Sequence, residues 1–281
     1  MKELLRLENV NFKYEDRFPA LIDVNTAIHE GEKIAVLGNN GAGKSTFFLC
    51  CNGVLRPQSG KLFLMNEEVT KSKKNITKLR QTVGLVFQDP DSQIVAGTVE
   101  SEVSFGPMNL QLNLAEVEIR IKESLKQMNL EGYQKRAPQY LSGGEKKRVS
   151  IADILAMRPK IILFDEPTAS LDPENVALLE ETLKELSNNN ITLIISTHDV
   201  DFAYKFAERA LVFSKGKVIA DENMDNLVQD DQILLQAGLS KPVIYSTVGF
   251  LKERFPETKI QKQPKSVDEL KEFILSIEMG I

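Results

Sequence analysis

The sequence predicts an α/β fold in which a parallel β-sheet is covered by helices on both faces. Three short runs have the mainly apolar composition of buried parallel strands, Ile34–Leu37, Ile161–Phe164 and Thr192–Ser196. The pattern of Pro173–Asn188, between the second and third runs, predicts a helix and therefore a βαβ unit. The first run leads directly into a glycine-rich loop, which is the third indication of this fold class.

Other segments are predicted around this sheet. Residues 4–37 as a whole indicate β structure, since Leu5–Val10 alternates between apolar and polar positions. Val83–Phe87 predicts a further strand, which ends at Gln88. The stretch from about 97 to 157 is mainly helical in pattern.

The C-terminal part of the chain, residues 236–281, differs in composition. Lys241-Pro242 and a polar linker at 261–265 set it apart. Ser266–Glu269 has the sequence of a capping box and opens a final helix with one apolar face. Two interpretations stay open, because periodicity indicates burial but not the partner. The helix packs back onto the main domain, or it serves in dimerisation or regulation.

Composition limits the class of protein. The 281 residues are 42% hydrophobic and 27% charged, as in ordinary globular proteins. A net charge of −5 argues against a general nucleic-acid binder. No apolar run approaches the ~20 residues that span a bilayer, and Met1–Arg6 lacks a signal-peptide core. We therefore expect a cytoplasmic protein that acts at a membrane only through partners. The adjacent Cys50 and Cys51 are expected to be buried as small hydrophobes.

The glycine-rich loop carries a complete G-x-x-x-x-G-K-[ST] phosphate-binding motif. It consists of Gly38, Asn39, Asn40, Gly41, Ala42, Gly43, Lys44, Ser45 and Thr46. A strand before it and a helix after it provide the context that this motif requires. The motif predicts a nucleoside triphosphate site in which Lys44 reaches the β- and γ-phosphates and Ser45 offers its hydroxyl to Mg²⁺. Backbone N–H groups from Asn40 to Thr46 form the cradle.

Four further side chains have the chemistry that such a site needs. Asp165 ends the second apolar run and is placed to hold Mg²⁺, while Glu166 is placed to act as general base on a water. His198 follows the third run, where a lone histidine is more often structural, although a donor there would contact the γ-phosphate. Tyr14 is interpreted either as an aromatic that stacks on a base or as a half-buried strand residue.

A second anion-binding feature lies at Leu141–Gly144. Its Ser-Gly-Gly turn, made of Ser142, Gly143 and Gly144, opens another predicted helix. The unpaired N–H groups and the dipole of that helix start attract an anion. A single nucleotide site within one chain would hardly need both the phosphate-binding loop and this second anion-binding turn.

Together these motifs resemble the ATP-binding-cassette (ABC) ATPases, a family of P-loop NTPases. The resemblance covers about residues 1–230 and rests, in this order, on Gly38–Thr46, Gln88, Leu141–Gly144, Ile161–Glu166, Ala169–Asp172 and His198. It implies an ABC ATPase domain at 1–235, with an N-terminal antiparallel β subdomain and a RecA-like parallel core. It also implies a helical subdomain at about 97–157 and a small C-terminal extension at 236–281.

The resemblance also implies cofactors and roles. ATP and Mg²⁺ are the cofactors, with Lys44, Gln88, Glu166 and His198 as catalytic residues. The ligands of Mg²⁺ would be Ser45, Gln88 and Asp165. Because members pair head to tail, Ser142–Gly144 would contact the ATP held by a neighbouring subunit.

A narrower resemblance links the chain to the energy-coupling-factor (ECF) importers. Its segments are Phe47–Leu49, Asn52–Pro57, Val86–Gln93 and Phe105–Leu110, and they are most similar to the CbiO-type ATPases of cobalt or nickel importers. This implies a place at the cytoplasmic face of the cell membrane. The implied partners are a second ATPase subunit, identical or paralogous, a transmembrane coupling subunit and a substrate-binding membrane subunit. Glu145, where Gln is more usual, and Ala169, where Ser is common, depart from the family pattern.

Three alternatives remain at this point. The chain is the ATPase of a vitamin-importing ECF transporter, a soluble non-transport ABC protein, or a nucleotide-sensing module without turnover. Asp89–Tyr140 is too short for the coiled-coil arm of repair-type members, and no internal repeat of the motifs indicates a two-cassette ribosomal protein. The presence of Gln88, Glu166 and His198 together argues against a module without turnover.

Overall fold

The computed structural model describes residues 2–15, 18–169, 171–256 and 263–278. Ser170 lies outside the described residues. So do residues 261 and 262 of the predicted linker and residues 279–281 at the end of the C-terminal extension.

The described residues form ten strands and eleven α-helices. The strands are β1 (Glu3–Lys13), β2 (Pro19–His29), β3 (Lys33–Leu37), β4 (Ser59–Leu64), β5 (Glu67–Glu68), β6 (Val83–Val86), β7 (Ile161–Asp165), β8 (Thr192–Thr197), β9 (Arg209–Ser214) and β10 (Lys217–Asn223). The helices are α1 (Lys44–Cys51), α2 (Lys73–Thr82), α3 (Val99–Asn109), α4 (Leu114–Gln127), α5 (Gly143–Ala156), α6 (Pro173–Asn188), α7 (Val200–Phe206), α8 (Met224–Leu227), α9 (Asp231–Ala237), α10 (Val243–Arg254) and α11 (Val267–Glu278).

The larger sheet positions the predicted site residues. Its order is β10-β9-β3-β8-β7-β6, parallel from β9 to β6, with β10 antiparallel at one edge. The predicted βαβ unit is present, since β7 and β8 are parallel neighbours joined by α6. Leu37 pairs with Thr197 and Asp165 pairs with Ser196. The carboxyl ends of β3, β7 and β8 therefore meet at one edge of the sheet.

A second, antiparallel sheet has the order β2-β1-β4-β5. This sheet, the helix α1 and the larger sheet share one apolar core. The core includes Leu5, Phe47, Cys50 and Cys51. Both cysteines are free and buried, as expected from the sequence. Burial raises the pKa of the Cys50 thiol to about 12 and that of Cys51 well above its usual value.

The helices α3, α4 and α5 occupy most of the stretch predicted to be helical. Their apolar side chains form a core that includes Val103, Leu125 and Val149. Val86 of β6 and Phe164 of β7 belong to the same core. This shared core packs α5 against the edge strand β6, the strand that comes just before Gln88 in the sequence.

The described part of the C-terminal extension packs back onto the main domain. The N–H of Val243, at the start of α10, donates to Asp201 Oδ1 of α7 at 2.7 Å, and the rings of Tyr245 and Tyr204 meet edge to face. Phe273 of α11 is buried, whereas Val267 on the same helix is exposed. The predicted apolar face is therefore only partly covered within this chain. The described helices are all too short or too polar to span a bilayer.

Candidate active site

The loop after β3 has backbone conformations that require glycine. Gly38 has φ +140°, and a Cβ there would lie 2.3 Å from the Phe213 carbonyl oxygen. Gly43, which caps α1, has φ +112°, and its Cβ would lie 2.5 Å from the Ala20 carbonyl oxygen. These constraints bring the first turn of α1 and its unpaired N–H groups to the end of β3. Such a turn is a site for an anion.

Lys44, the first residue of α1, is a buried cation whose ammonium group reaches back to the start of this loop. Its Nζ donates to the Gly38 carbonyl oxygen at 2.6 Å and lies 3.5 Å from Glu166 Oε1. Lys44 is 6% exposed and Glu166 is 8% exposed. An ammonium group so far from solvent interacts strongly with any anion that the loop holds, because little water screens it.

Asp165 and Glu166 are oriented by a residue on the neighbouring strand. The Glu166 N–H donates to Ser196 O at 3.0 Å and to Ser196 Oγ at 3.1 Å. The Ser196 hydroxyl in turn donates to Asp165 Oδ1. Glu166 has φ +42°, in the left-handed region that non-glycine residues rarely adopt. Sequence reasoning did not single out Ser196, although a serine ending an apolar strand beside an acidic pair is a usable signal.

His198 completes a row with Glu166 and Lys44. Its Nδ1 lies 3.0 Å from Glu166 Oε2, while the other oxygen of that carboxylate faces Lys44. The His198 side chain is 66% exposed, so it is accessible from solvent. The structure thus brings three of the four predicted catalytic residues together. A carboxylate held at both oxygens beside an anion-binding loop is suited to accept a proton from a water.

Tyr14 lies beside the same loop. Its Oη is 3.3 Å from Thr46 Oγ1, and its ring meets Phe12 edge to face at 4.9 Å. The residue is 44% exposed, which leaves part of the ring available to a ligand. Ser45, in the first turn of α1, is exposed.

Gln88 lies two residues beyond β6 and is exposed. Its carbonyl oxygen accepts a hydrogen bond from Lys147 Nζ of α5 at 3.0 Å. Burial lowers the pKa of Lys147 to about 8, against the opposing charges of Asp165 and Asp89. Lys147 was not identified from the sequence.

The predicted Mg²⁺ ligands fit the chemistry of that ion. Asp165 supplies a carboxylate, Ser45 a hydroxyl and Gln88 an amide oxygen. Mg²⁺ in phosphate-binding sites typically takes one or two protein carboxylates and completes its shell with phosphate oxygens and water. One carboxylate with two neutral oxygens is such a donor set.

The Ser-Gly-Gly turn forms the start of α5, in the helical subdomain. Ser142 Oγ accepts from the Glu145 N–H at 3.3 Å, and Glu145 Oε2 accepts from the Ser142 N–H at 2.7 Å. The bond from the Ser142 N–H to the carboxylate, with a second from the Tyr133 hydroxyl, lowers the pKa of Glu145. Glu145 therefore completes a capping box, so its presence in place of Gln leaves this turn intact. Ser142 and Gly143 are exposed, whereas Gly144 is buried.

Comparison with known proteins decides the family. The protein-family model described as ABC transporter matches residues 21–169, more than half of the chain. The chain belongs to the ABC transporter family. Its fold class is confirmed, and ATP with Mg²⁺ is the nucleotide that this ABC ATPase binds and hydrolyses.

Individual relatives show which branch of the ABC family the chain resembles. The ABC ATPase is 46% identical to the energy-coupling factor transporter ATP-binding protein EcfA of Methanothermobacter thermautotrophicus, over 85% of this chain and 77% of the relative. It superposes on CbiO1 of Clostridium perfringens, part of the ABC transporter complex CbiONQ, with a TM-score of 0.75 and 37% identity, covering 90% of this chain and 100% of that one. A dimeric ATP-binding cassette bound to ADP and phosphate has a TM-score of 0.69 and 31% identity, with 79% and 99% coverage. The resemblance to ECF-type ATPases predicted from the sequence is confirmed.

Proposed function

We propose that this ABC ATPase energises an ECF-type importer of cobalt or nickel ions, acting at the cytoplasmic face of the cell membrane through membrane subunits. The observation that carries the ATP-hydrolysing part of this proposal is Glu166, held between Lys44 and His198 beside the phosphate loop. This arrangement provides a base for hydrolysis, which a nucleotide sensor does not need. The similarity to EcfA and CbiO1 supports the ECF type.

In the proposed mechanism the loop Gly38–Thr46 binds the triphosphate of ATP. Its backbone N–H groups and the Lys44 ammonium contact the phosphate oxygens, exchanging the Gly38 carbonyl contact for a charged partner. Ser45, Gln88 and Asp165 would hold Mg²⁺, which would neutralise phosphate charge when bound with ATP.

Glu166 acts as the general base in this mechanism. One carboxylate oxygen accepts a proton from the water that attacks the γ-phosphorus, and the bond from that phosphorus to the ADP oxygen breaks. His198 lies against the other oxygen at 3.0 Å and, being exposed, is available to contact the γ-phosphate. Ser196 fixes the backbone of Glu166, so the carboxylate loses little conformational freedom.

The Ser-Gly-Gly turn implies a second ATPase subunit. We propose that Ser142, Gly143 and Gly144 contact the ATP bound to that subunit, whether it is a second copy or a paralogue. Ser142 and Gly143 are exposed at the start of a 14-residue helix, where a phosphate of a neighbour can approach. The dimeric state of a related cassette supports this pairing.

The surface of Gln88–Pro107 is proposed to bind the transmembrane coupling subunit. Its exposed apolar side chains include Val95, 78% exposed, and Phe105, 61% exposed. The two native cysteines are buried, so single cysteines can be introduced and labelled selectively. In the assembled transporter, Val95→Cys and Phe105→Cys should cross-link to the coupling subunit. Leu235→Cys should not, because Leu235 is 81% exposed but lies on α9, outside the proposed surface. Equal reaction at all three positions would exclude this surface.

The whole proposal is tested by purification from membranes. The chain should co-purify with membrane subunits, and those subunits should contain cobalt or nickel. Vitamin in place of metal would assign the chain to a vitamin-importing ECF transporter. Recovery of an active ATPase without membrane partners would favour a soluble non-transport ABC protein.

The domain boundary is also proposed. We place the ABC ATPase domain at 1–235, with its helical subdomain at about 97–157, and the extension at 236–281. The helix α9 (Asp231–Ala237) crosses this boundary and ends at Gly238 in the αL conformation, so the first turn after the domain lies at Gly238. The partly covered face of α11 is available for a role in dimerisation or regulation.

Tyr14 is expected to stack on the adenine base. Tyr14→Ala should raise the Kd for ATP about 5- to 150-fold, since base stacking is worth roughly 1–3 kcal/mol. Tyr14→Phe keeps the ring and loses only the contact with Thr46, so its affinity should stay near that of the wild type. The measurement is equilibrium binding of a fluorescent ATP analogue. Equal affinities for all three proteins would favour the strand-packing interpretation.

A further inference from the structure

Lys147 is a buried lysine that joins α5 to the segment carrying Gln88. Its Nζ donates to the carbonyl oxygens of Phe87 at 2.7 Å and Gln88 at 3.0 Å. The residue is 3% exposed. Burying an ammonium group is costly unless hydrogen bonds and opposite charges compensate. A position that served only packing would be filled at lower cost by an apolar side chain of the same length.

A second connection runs between the same two elements. Gln93 Oε1 accepts from the Phe87 N–H at 3.1 Å, and Gln93 Nε2 donates to Ser150 O at 3.0 Å. Ser150 is three residues beyond Lys147 and so lies on the same face of α5. Both backbone polar groups of Phe87 are thus bonded, directly or through one side chain, to one face of this helix.

If the proposed function is correct, the two elements that this connection joins contact two different ATP molecules. The helix α5 begins at the turn that contacts the neighbour's ATP, while Gln88 belongs to the Mg²⁺ site of the chain's own ATP. A segment bonded at several points to a helix must follow that helix when it shifts, because breaking buried hydrogen bonds costs more than moving together.

We propose that Lys147 is a positioning residue that makes the Gln88 segment and α5 move as one body. When the Ser-Gly-Gly turn approaches the ATP of a neighbouring subunit, α5 then carries Gln88 to the Mg²⁺ of the chain's own ATP. Each subunit therefore completes its own Mg²⁺ site only when its Ser-Gly-Gly turn also contacts the ATP of its partner. This inference rests on the proposed pairing of two subunits.

The test compares Lys147→Met with Lys147→Arg in the full chain with its partner subunits. Lys147→Met removes the donors but keeps the length of the side chain, whereas Lys147→Arg keeps a cation that can donate. We expect Lys147→Met to raise the apparent KM for Mg²⁺ in ATP hydrolysis about 10-fold, as removal of residues that orient metal ligands does, and to lower the Hill coefficient for ATP. Binding of ATP without Mg²⁺ should stay within about twofold, because the phosphate loop is unchanged.

A neighbouring lysine provides the matched control. Lys146 also connects α5 to the segment after Gln88, but its ion pair is with Asp91, whose side chain is 66% exposed, and such exposed ion pairs contribute little. Lys146→Gln should therefore keep the wild-type Mg²⁺ dependence. Lys147→Arg should recover part of the loss, and a purely packing role would not produce that recovery.

The proposal is overturned if Lys147→Met retains the wild-type KM for Mg²⁺ and Hill coefficient. It is also overturned if ATP binding without Mg²⁺ falls by the same factor as turnover. Should Lys147→Met not fold, Gln93→Met removes the second connection and must show the same change in Mg²⁺ dependence, or the proposal is wrong. Absence of ATP turnover in the wild type is a separate result, which contradicts the proposed function itself.

Discussion

Replacing Glu166 with glutamine is expected to lower ATP turnover by about 10²–10⁴-fold, the usual contribution of a positioned base, while ATP still binds. The amide has nearly the shape of the carboxylate but accepts no proton from water. It also removes a negative charge 3.5 Å from Lys44, which frees that ammonium for the phosphates. ATP should therefore accumulate in the site and hold two subunits together.

Two measurements check this result. Phosphate release reports turnover, and light scattering coupled to size exclusion reports the ATP-dependent dimer. Glu208→Gln is a suitable control, because Glu208 pairs with Lys33 at the opposite, amino-terminal edge of the parallel strands. Its turnover should match the wild type. Undiminished turnover in Glu166→Gln would exclude Glu166 as the base.

The convergence of Lys44, Glu166 and His198 was predictable for a simple reason. Each follows an apolar run, and parallel strands place their carboxyl ends at one edge of a sheet. The sequence did not give the strand order, in which β3 lies between β8 and β9. That order depends on how the runs pair over long separations, and apolar composition alone is the same for every order.

Residues that act through a neighbour were not predictable in this way. Lys147 stands in the charged run Glu145–Arg148, which is typical of a solvated helix face. Its burial follows from the rotation of α5 against β6, and local sequence carries no sign of that rotation. The predicted strand Val83–Phe87 is also one residue too long. It ends at Val86 because the Phe87 N–H is bonded to the Gln93 side chain instead of a neighbouring strand.

Lys44→Ala is the second change with a large expected effect. It removes a buried cation and leaves the Glu166 carboxylate, 3.5 Å away in the wild type, without that partner. Lys44 and a bound phosphate would form a buried charge pair across the binding interface, and truncating one member of such a pair costs about 2–5 kcal/mol, which corresponds to roughly 30- to 4,000-fold in the Kd for ATP. Titration calorimetry with ATP should show this loss, and turnover should fall with it.

The loss in Lys44→Ala has two causes that a double mutant separates. One is the missing contact of Lys44 with phosphate, and the other is repulsion of phosphate by the uncompensated Glu166 carboxylate. Lys44→Ala combined with Glu166→Gln removes the repulsion, so it should bind ATP more tightly than Lys44→Ala alone although it also lacks the ammonium. Such non-additivity is expected only for groups that interact directly. Additive losses would mean that Lys44 and Glu166 act on ATP independently, and unchanged binding in Lys44→Ala would contradict the phosphate-loop assignment.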